Sequence, residues 1–112
     1  VDDRATAPAH DDPGDGASIA PRLAFETVGT GTRIVLFAHG ILGQGRNWRS
    51  FARRLTERSP DWTAVLVDLR NHGASPALAP PHDLAACAGD LEVVAQEVGA
   101  PEIAVGHSFG AK

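Results

Sequence analysis

Three short stretches carry residues that could do chemistry: His39-Gly40-Ile41, Asp68-Leu69-Arg70-Asn71-His72-Gly73, and Gly106-His107-Ser108-Phe109-Gly110. The last has the form G-x-S-x-G. That pattern places a serine on a sharp turn between a strand and a helix, with its hydroxyl presented for nucleophilic attack. Gly106 and Gly110 are small because the turn forces strand and helix close together around a strained residue. A five-residue pattern of this kind can arise by chance in a chain with 12 glycines. Its weight comes from its position after an apolar run and from the company of the other two stretches.

The elements that must position these residues are legible as periodicities. Residues 22–28, RLAFETV, alternate apolar and polar, as a half-buried strand does. The GTGT turn follows, then a continuous apolar run from Ile34 to Ala38 that ends at His39-Gly40. Such a run is expected of a central strand covered on both faces. Trp48, Phe51, Ala52 and Leu55 recur at helical spacing, with arginines on the other side. Ala64–Val67 mark a second buried strand. Leu84, Cys87, Ala88, Leu91, Val94, Ala95 and Val98 line one stripe of a second helix, stopped by Gly99 and Pro101. A third strand runs over 102–106.

Strands alternating with helices of this length predict an α/β fold with a mostly parallel sheet and flanking helices, built from right-handed crossovers. In such sheets functional residues gather at the carboxyl ends of the strands, where all three stretches fall. The expected topology pairs 22–28 antiparallel with 33–38, and flanks 33–38 in parallel with the strands near 64–67 and 102–106.

Composition bounds the rest. The chain has 112 residues and a net charge of −4. The acidity sits in Asp2, Asp3, Asp11, Asp12 and Asp15, against Arg4 alone; from Pro21 onward acids and bases cancel. Residues 1–20 have no apolar period and read as a disordered acidic leader, with residues 21–112 as the folded portion. No basic stripe suggests a nucleic-acid partner, and no apolar run is long enough to span a membrane. Cys87 is the single cysteine, read as a buried, inert thiol. No secretory signal is visible, so the expected location is cytoplasmic.

With HGILG, DLRNHGASP and GHSFGAK in place, the chain resembles the α/β-hydrolase fold family from about Leu23 to Lys112. Within it, the likeness is greatest to small serine esterases of the abhydrolase-domain-eleven type. The RNHG segment and the lysine after the elbow favour that branch, while Ala111 stands where a further glycine is frequent. The resemblance implies a serine hydrolase acting on a small-molecule carboxylic ester or thioester through an acyl-serine intermediate, with no metal or organic cofactor. Ser108 is the expected nucleophile. The oxyanion hole is expected from the backbone N–H groups of Phe109 and Ile41, with Leu42 as the alternative to Ile41. His39 would orient the oxyanion loop, His107 would be structural, and His72 would belong to a turn. Asp68 is read as a loop anchor paired with Arg70. His10 and His82 carry no signal.

A serine at its ordinary pKa is a poor nucleophile and needs a histidine base oriented by a carboxylate, following it in the order Ser, acid, His. Only Phe, Gly, Ala and Lys follow Ser108. The chain is therefore expected to be the N-terminal portion of a hydrolase, inactive alone, whose partner is the missing C-terminal portion of the same domain. Two other readings stand beside this one: a non-catalytic α/β fragment or binding module, and a cofactor-free perhydrolase or C–C hydrolase on the same scaffold.

Overall fold

A computed structural model describes residues 22–112. The leader expected over 1–20, and His10 within it, lie outside the described residues. The elements are β1 (Phe25–Val28), β2 (Arg33–Ala38), a 3₁₀ turn (Gly45–Trp48) running into α1 (Arg49–Arg58), β3 (Trp62–Val67), α2 (Leu84–Val98), β4 (Ile103–Gly106), and a second 3₁₀ turn (Ser108–Ala111).

The strands form one sheet in the order β1-β3-β2-β4. β2 is central, parallel to β3 with Val35 beside Ala64, and parallel to β4 with Ala38 beside Gly106. Alternation sends successive side chains to opposite faces. Leu36, Ala38, Val65 and Val67 join Leu23, Phe25 and Val94 on the α2 side. Val35, Phe37, Ala64 and Leu66 meet Ala52 on the α1 side. Both faces are thus apolar, which is why β2 and β3 read as continuous hydrophobic runs.

One strand pairing differs from expectation. β1 is antiparallel to β3, with Phe25 beside Val67, and does not pair with β2. The glycines of the connecting turn give the reason. A Cβ on Gly31 would overlap the Asp61 backbone, and one on Gly29 would lie 2.7 Å from the Trp62 carbonyl oxygen. The segment crosses the start of β3 at backbone distance, with Arg33 N–H donating to Asp61 C=O at 3.0 Å, and enters the sheet on the far side. A glycine turn that closes a hairpin and one that passes under a neighbouring strand have the same local sequence.

The helices seat less evenly than their stripes suggest. In α1 the buried residues are Ala52 and Thr56, whereas Phe51 is 54% exposed. The Thr56 hydroxyl is satisfied by donating to the Ala52 carbonyl at 3.0 Å. α2 begins at Asp83, whose carboxylate accepts the Ala86 N–H at 2.9 Å, a cap worth about 1 kcal/mol. Only Val94 of α2 is fully buried. β4 lies at the sheet edge and its Ile103 and Ala104 are exposed. No described helix is long and apolar enough to cross a membrane.

Candidate active site

The β2–β4 register decides what meets at the carboxyl edge of the sheet. Because Ala38 pairs with Gly106, the residues leaving the two strands, His39-Gly40 and His107-Ser108, emerge side by side. The His107 N–H donates to the Ala38 carbonyl at 3.2 Å and extends the pairing by one residue. A Cβ on Gly40 would lie 3.3 Å from the Ser108 Cβ and 3.2 Å from His107 Nδ1.

Ser108 has φ 56, in the left-handed region where a non-glycine residue costs on the order of 1 kcal/mol. The turn is held by the Gly110 N–H donating to the His107 carbonyl at 3.0 Å. Its glycines have direct steric work: a Cβ on Gly106 would overlap the Gly110 carbonyl, and one on Gly110 would overlap the Ala38 carbonyl. Strand, turn and neighbouring strand meet at backbone contact, so the serine is lifted to the surface, where it is exposed. Phe109 turns back against the α2-side core.

Ser108 opens into a cleft of about 420 Å³ lined by His39, Gly40, Ile41, Leu42 and Trp48, with His107 at its side. Among the described residues, no protein hydrogen bond takes the Ile41 or the Phe109 amide, and none reaches the Ser108 hydroxyl. The Leu42 amide is engaged elsewhere: it donates to His72 Nε2 at 3.1 Å. Of the two candidates in the HGIL loop, Ile41 is the one whose donor is free.

His39 is 2% exposed and uses both ring nitrogens. Nε2 accepts the Leu69 N–H at 2.9 Å, which requires the proton on Nδ1, and Nδ1 donates to the Gly40 carbonyl at 2.7 Å. It ties the HGI loop to the loop after β3 and has no nitrogen left for Ser108.

Asp68 anchors loops, accepting the Gly45 N–H at 2.7 Å and the Ala74 N–H at 2.9 Å. The expected pairing with Arg70 is not formed. Arg70, 9% exposed, makes a bidentate pair with Asp90 of α2 at 2.7 and 2.8 Å, and its Nη1 donates to the Ala79 and Pro81 carbonyls. The aspartate two residues away already has its carboxylate oxygens on backbone amides, whereas Asp90 projects from a stripe that faces the loop. Asp90 was legible only as an acid beside the apolar stripe. Asn71 has φ 65, a conformation that Asn and Gly tolerate and most residues do not, so Asn occupies this place without strain. Cys87 is partly buried, and burial pushes its thiol up, away from reactive thiolate character. Among the described residues no cluster of three His, Cys, Asp or Glu could hold a metal ion.

The alpha/beta hydrolase family model matches residues 35–112, from mid-β2 through the serine turn. The chain belongs to the alpha/beta hydrolase family. The chain is 35% identical over 95 residues to an abhydrolase domain-containing protein of Schizosaccharomyces pombe, a match that covers 81% of the chain and 34% of the relative. Its fold is similar to a marine microorganism esterase with a TM-score of 0.73 and 31% identity, covering 83% of this chain and 34% of that one. The epoxide hydrolase VrEH1 from Vigna radiata gives a TM-score of 0.70 at 27% identity, covering 80% and 28%. The chain thus spans only 34% of the length of this curated relative.

Proposed function

We propose that the full-length protein is a serine hydrolase that cleaves carboxylic esters or thioesters through an acyl-serine intermediate on Ser108. The observation that carries this reading is the strained turn: Ser108 at φ 56, flanked by glycines that contact backbone, with its side chain exposed beside Gly40. Ser108 Oγ attacks the acyl carbonyl carbon and gives up its proton to a histidine base. This reading places that base, and the carboxylate that orients it, after Lys112 in the full-length protein. The Ile41 and Phe109 amides hold the oxyanion as negative charge moves onto the carbonyl oxygen. Collapse expels the alcohol or thiol, protonated by the same histidine, and water repeats the sequence to release the acid.

The nucleophile's identity separates this reading from epoxide opening. An alkyl-enzyme ester needs a carboxylate at the elbow, and this chain has a serine there. Affiliation with the abhydrolase-domain-eleven branch rests on RNHG and the lysine after the elbow.

Turnover of p-nitrophenyl acetate and of an acyl thioester by the full-length protein tests the proposal. Hydrolysis abolished by Ser108→Ala is expected; hydrolysis that persists in that variant overturns it.

A further inference from the structure

We infer that Leu42 is a specificity-determining residue of the acyl-transfer site: its side chain, bare at the rim of the Ser108 cleft, receives an alkyl chain of the ester or thioester. The inference rests on the reading of Ser108 given above and deepens it by naming a part of the substrate that the chain recognises.

Leu42 is unfavourable on two independent counts. It is the third residue of a reverse turn, closed by the Gly43 N–H donating to the Gly40 carbonyl at 2.9 Å, and its φ is 67. Positive φ at that place favours glycine or asparagine, because a side chain there crowds its own backbone. The side chain is also 91% exposed, so no burial offsets the strain. Backbone hydrogen bonds hold the conformation instead: besides the Gly43 bond, the Leu42 N–H donates to His72 Nε2 at 3.1 Å. An exposed leucine alone signifies little. A leucine both strained and bare, in a turn that asparagine would make more easily, points to a contact that the described fold does not make.

Its surroundings say what kind of contact. Leu42 lines the same cleft as Ser108, beside Ile41, which is 58% exposed, and near Trp48. Trp48 is a fixed wall, its ring 5.0 Å from that of Phe37 in the α1-side core. The polar side chains of the lining are largely occupied within the fold. His39 uses both ring nitrogens, and Asn47 Oδ1 accepts the Gln44 N–H at 2.8 Å. Among the described residues that line the cleft there is no Asp, Glu, Lys or Arg, so a charged substituent finds no partner there. An alkyl chain does, since covering Leu42 and Ile41 removes apolar surface from water.

Two substitutions in the full-length protein test this. Leu42→Asn suits the positive φ better than leucine and removes the apolar side chain; Leu42→Met keeps an apolar side chain of similar volume. Two ester series are compared, p-nitrophenyl hexanoate against acetate for the acyl side, and hexyl acetate against methyl acetate for the alcohol side. In one of them Leu42→Asn is expected to lower the long-to-short ratio of kcat/KM about tenfold, the low end of what an apolar pocket contact is worth. The series that responds names the side of the ester that Leu42 touches. Leu42→Met should keep most of the ratio, and the Tm of Leu42→Asn should not fall. Unchanged ratios in both series overturn the inference. A Tm lower by several degrees also overturns it, because protein rather than substrate would then cover Leu42. In Ser108→Ala protein with ¹³C-labelled leucine methyls, the Leu42 resonances should shift when hexyl methyl ketone, an ester-shaped ligand without a leaving group, is added. No shift overturns the contact whatever the turnover. Turnover that survives Ser108→Ala would instead overturn the reading of Ser108, with the methyl shifts still reporting on Leu42.

Discussion

Gly40 and Ser108 face each other across the β2–β4 boundary with room for a hydrogen and little else, since a Cβ on Gly40 would lie 3.3 Å from that of the serine. That contact places the loop bearing the Ile41 amide directly against the proposed nucleophile. It also means that the spacing of the site is set by backbone, the least compliant part of the molecule.

Gly40→Ala is therefore expected to act on chemistry more than on folding. The added methyl must push His107 and Ser108 aside by a few tenths of an ångström. Misplacement of this order costs roughly tenfold in kcat, given that about 1 Å can cost a hundredfold. Steady-state kinetics and urea midpoints on the full-length protein check it. An unchanged kcat would mean that the two loops are not held at the distance described.

Arg70 and Asp90 should behave as a buried pair. Their side chains are 9% and 13% exposed, and the guanidinium also holds the Ala79 and Pro81 carbonyls. Removing one partner strands the other charge in a largely desolvated place, so Asp90→Ala should clearly lower the urea midpoint. Replacing both together, Arg70→Met with Asp90→Leu, should cost clearly less. Equal losses in the single and double variants would contradict the pairing.

A pH dependence follows from Glu102 at the start of β4. Hydrogen bonds from Arg33 hold its carboxyl below the ordinary carboxylate range. A folded-state pKa below the unfolded one gives stability that is present above the unfolded value, about 4.3, and lost as pH falls through the folded value. Both side chains are half-exposed, so the effect is small and screened by salt. The Tm difference between wild type and Glu102→Gln should be largest near neutral pH and fade towards about pH 3. A difference that widens as pH falls would contradict the pairing.

What the sequence reveals about this molecule divides by range. β2 and β3 announce themselves because both faces of the sheet are covered, so Val35, Leu36, Phe37 and Ala38 are all apolar. The serine turn is equally legible, since its demand for glycine at 106 and 110 is met within five residues. The partner of β1 was not, because Gly29 and Gly31 answer to Asp61 and Trp62, some thirty residues away. Phe51 looked like core by spacing, yet Ala52 and Thr56 sit where α1 touches the sheet. The hold of His72 on Leu42 was hidden for the same reason as β1: no periodicity marks a single hydrogen bond between two loops.

The central claim is that Ser108 is the acylated residue, and covalent labelling addresses it most directly. The full-length protein would be treated with a fluorophosphonate, digested, and the adduct mapped by mass spectrometry. The account predicts a single modified peptide containing Ser108, labelling that Ser108→Ala abolishes, and no adduct on Ser50, Ser59 or Ser75, none of which shares its left-handed turn. An adduct on another residue, or labelling that survives Ser108→Ala, would contradict it.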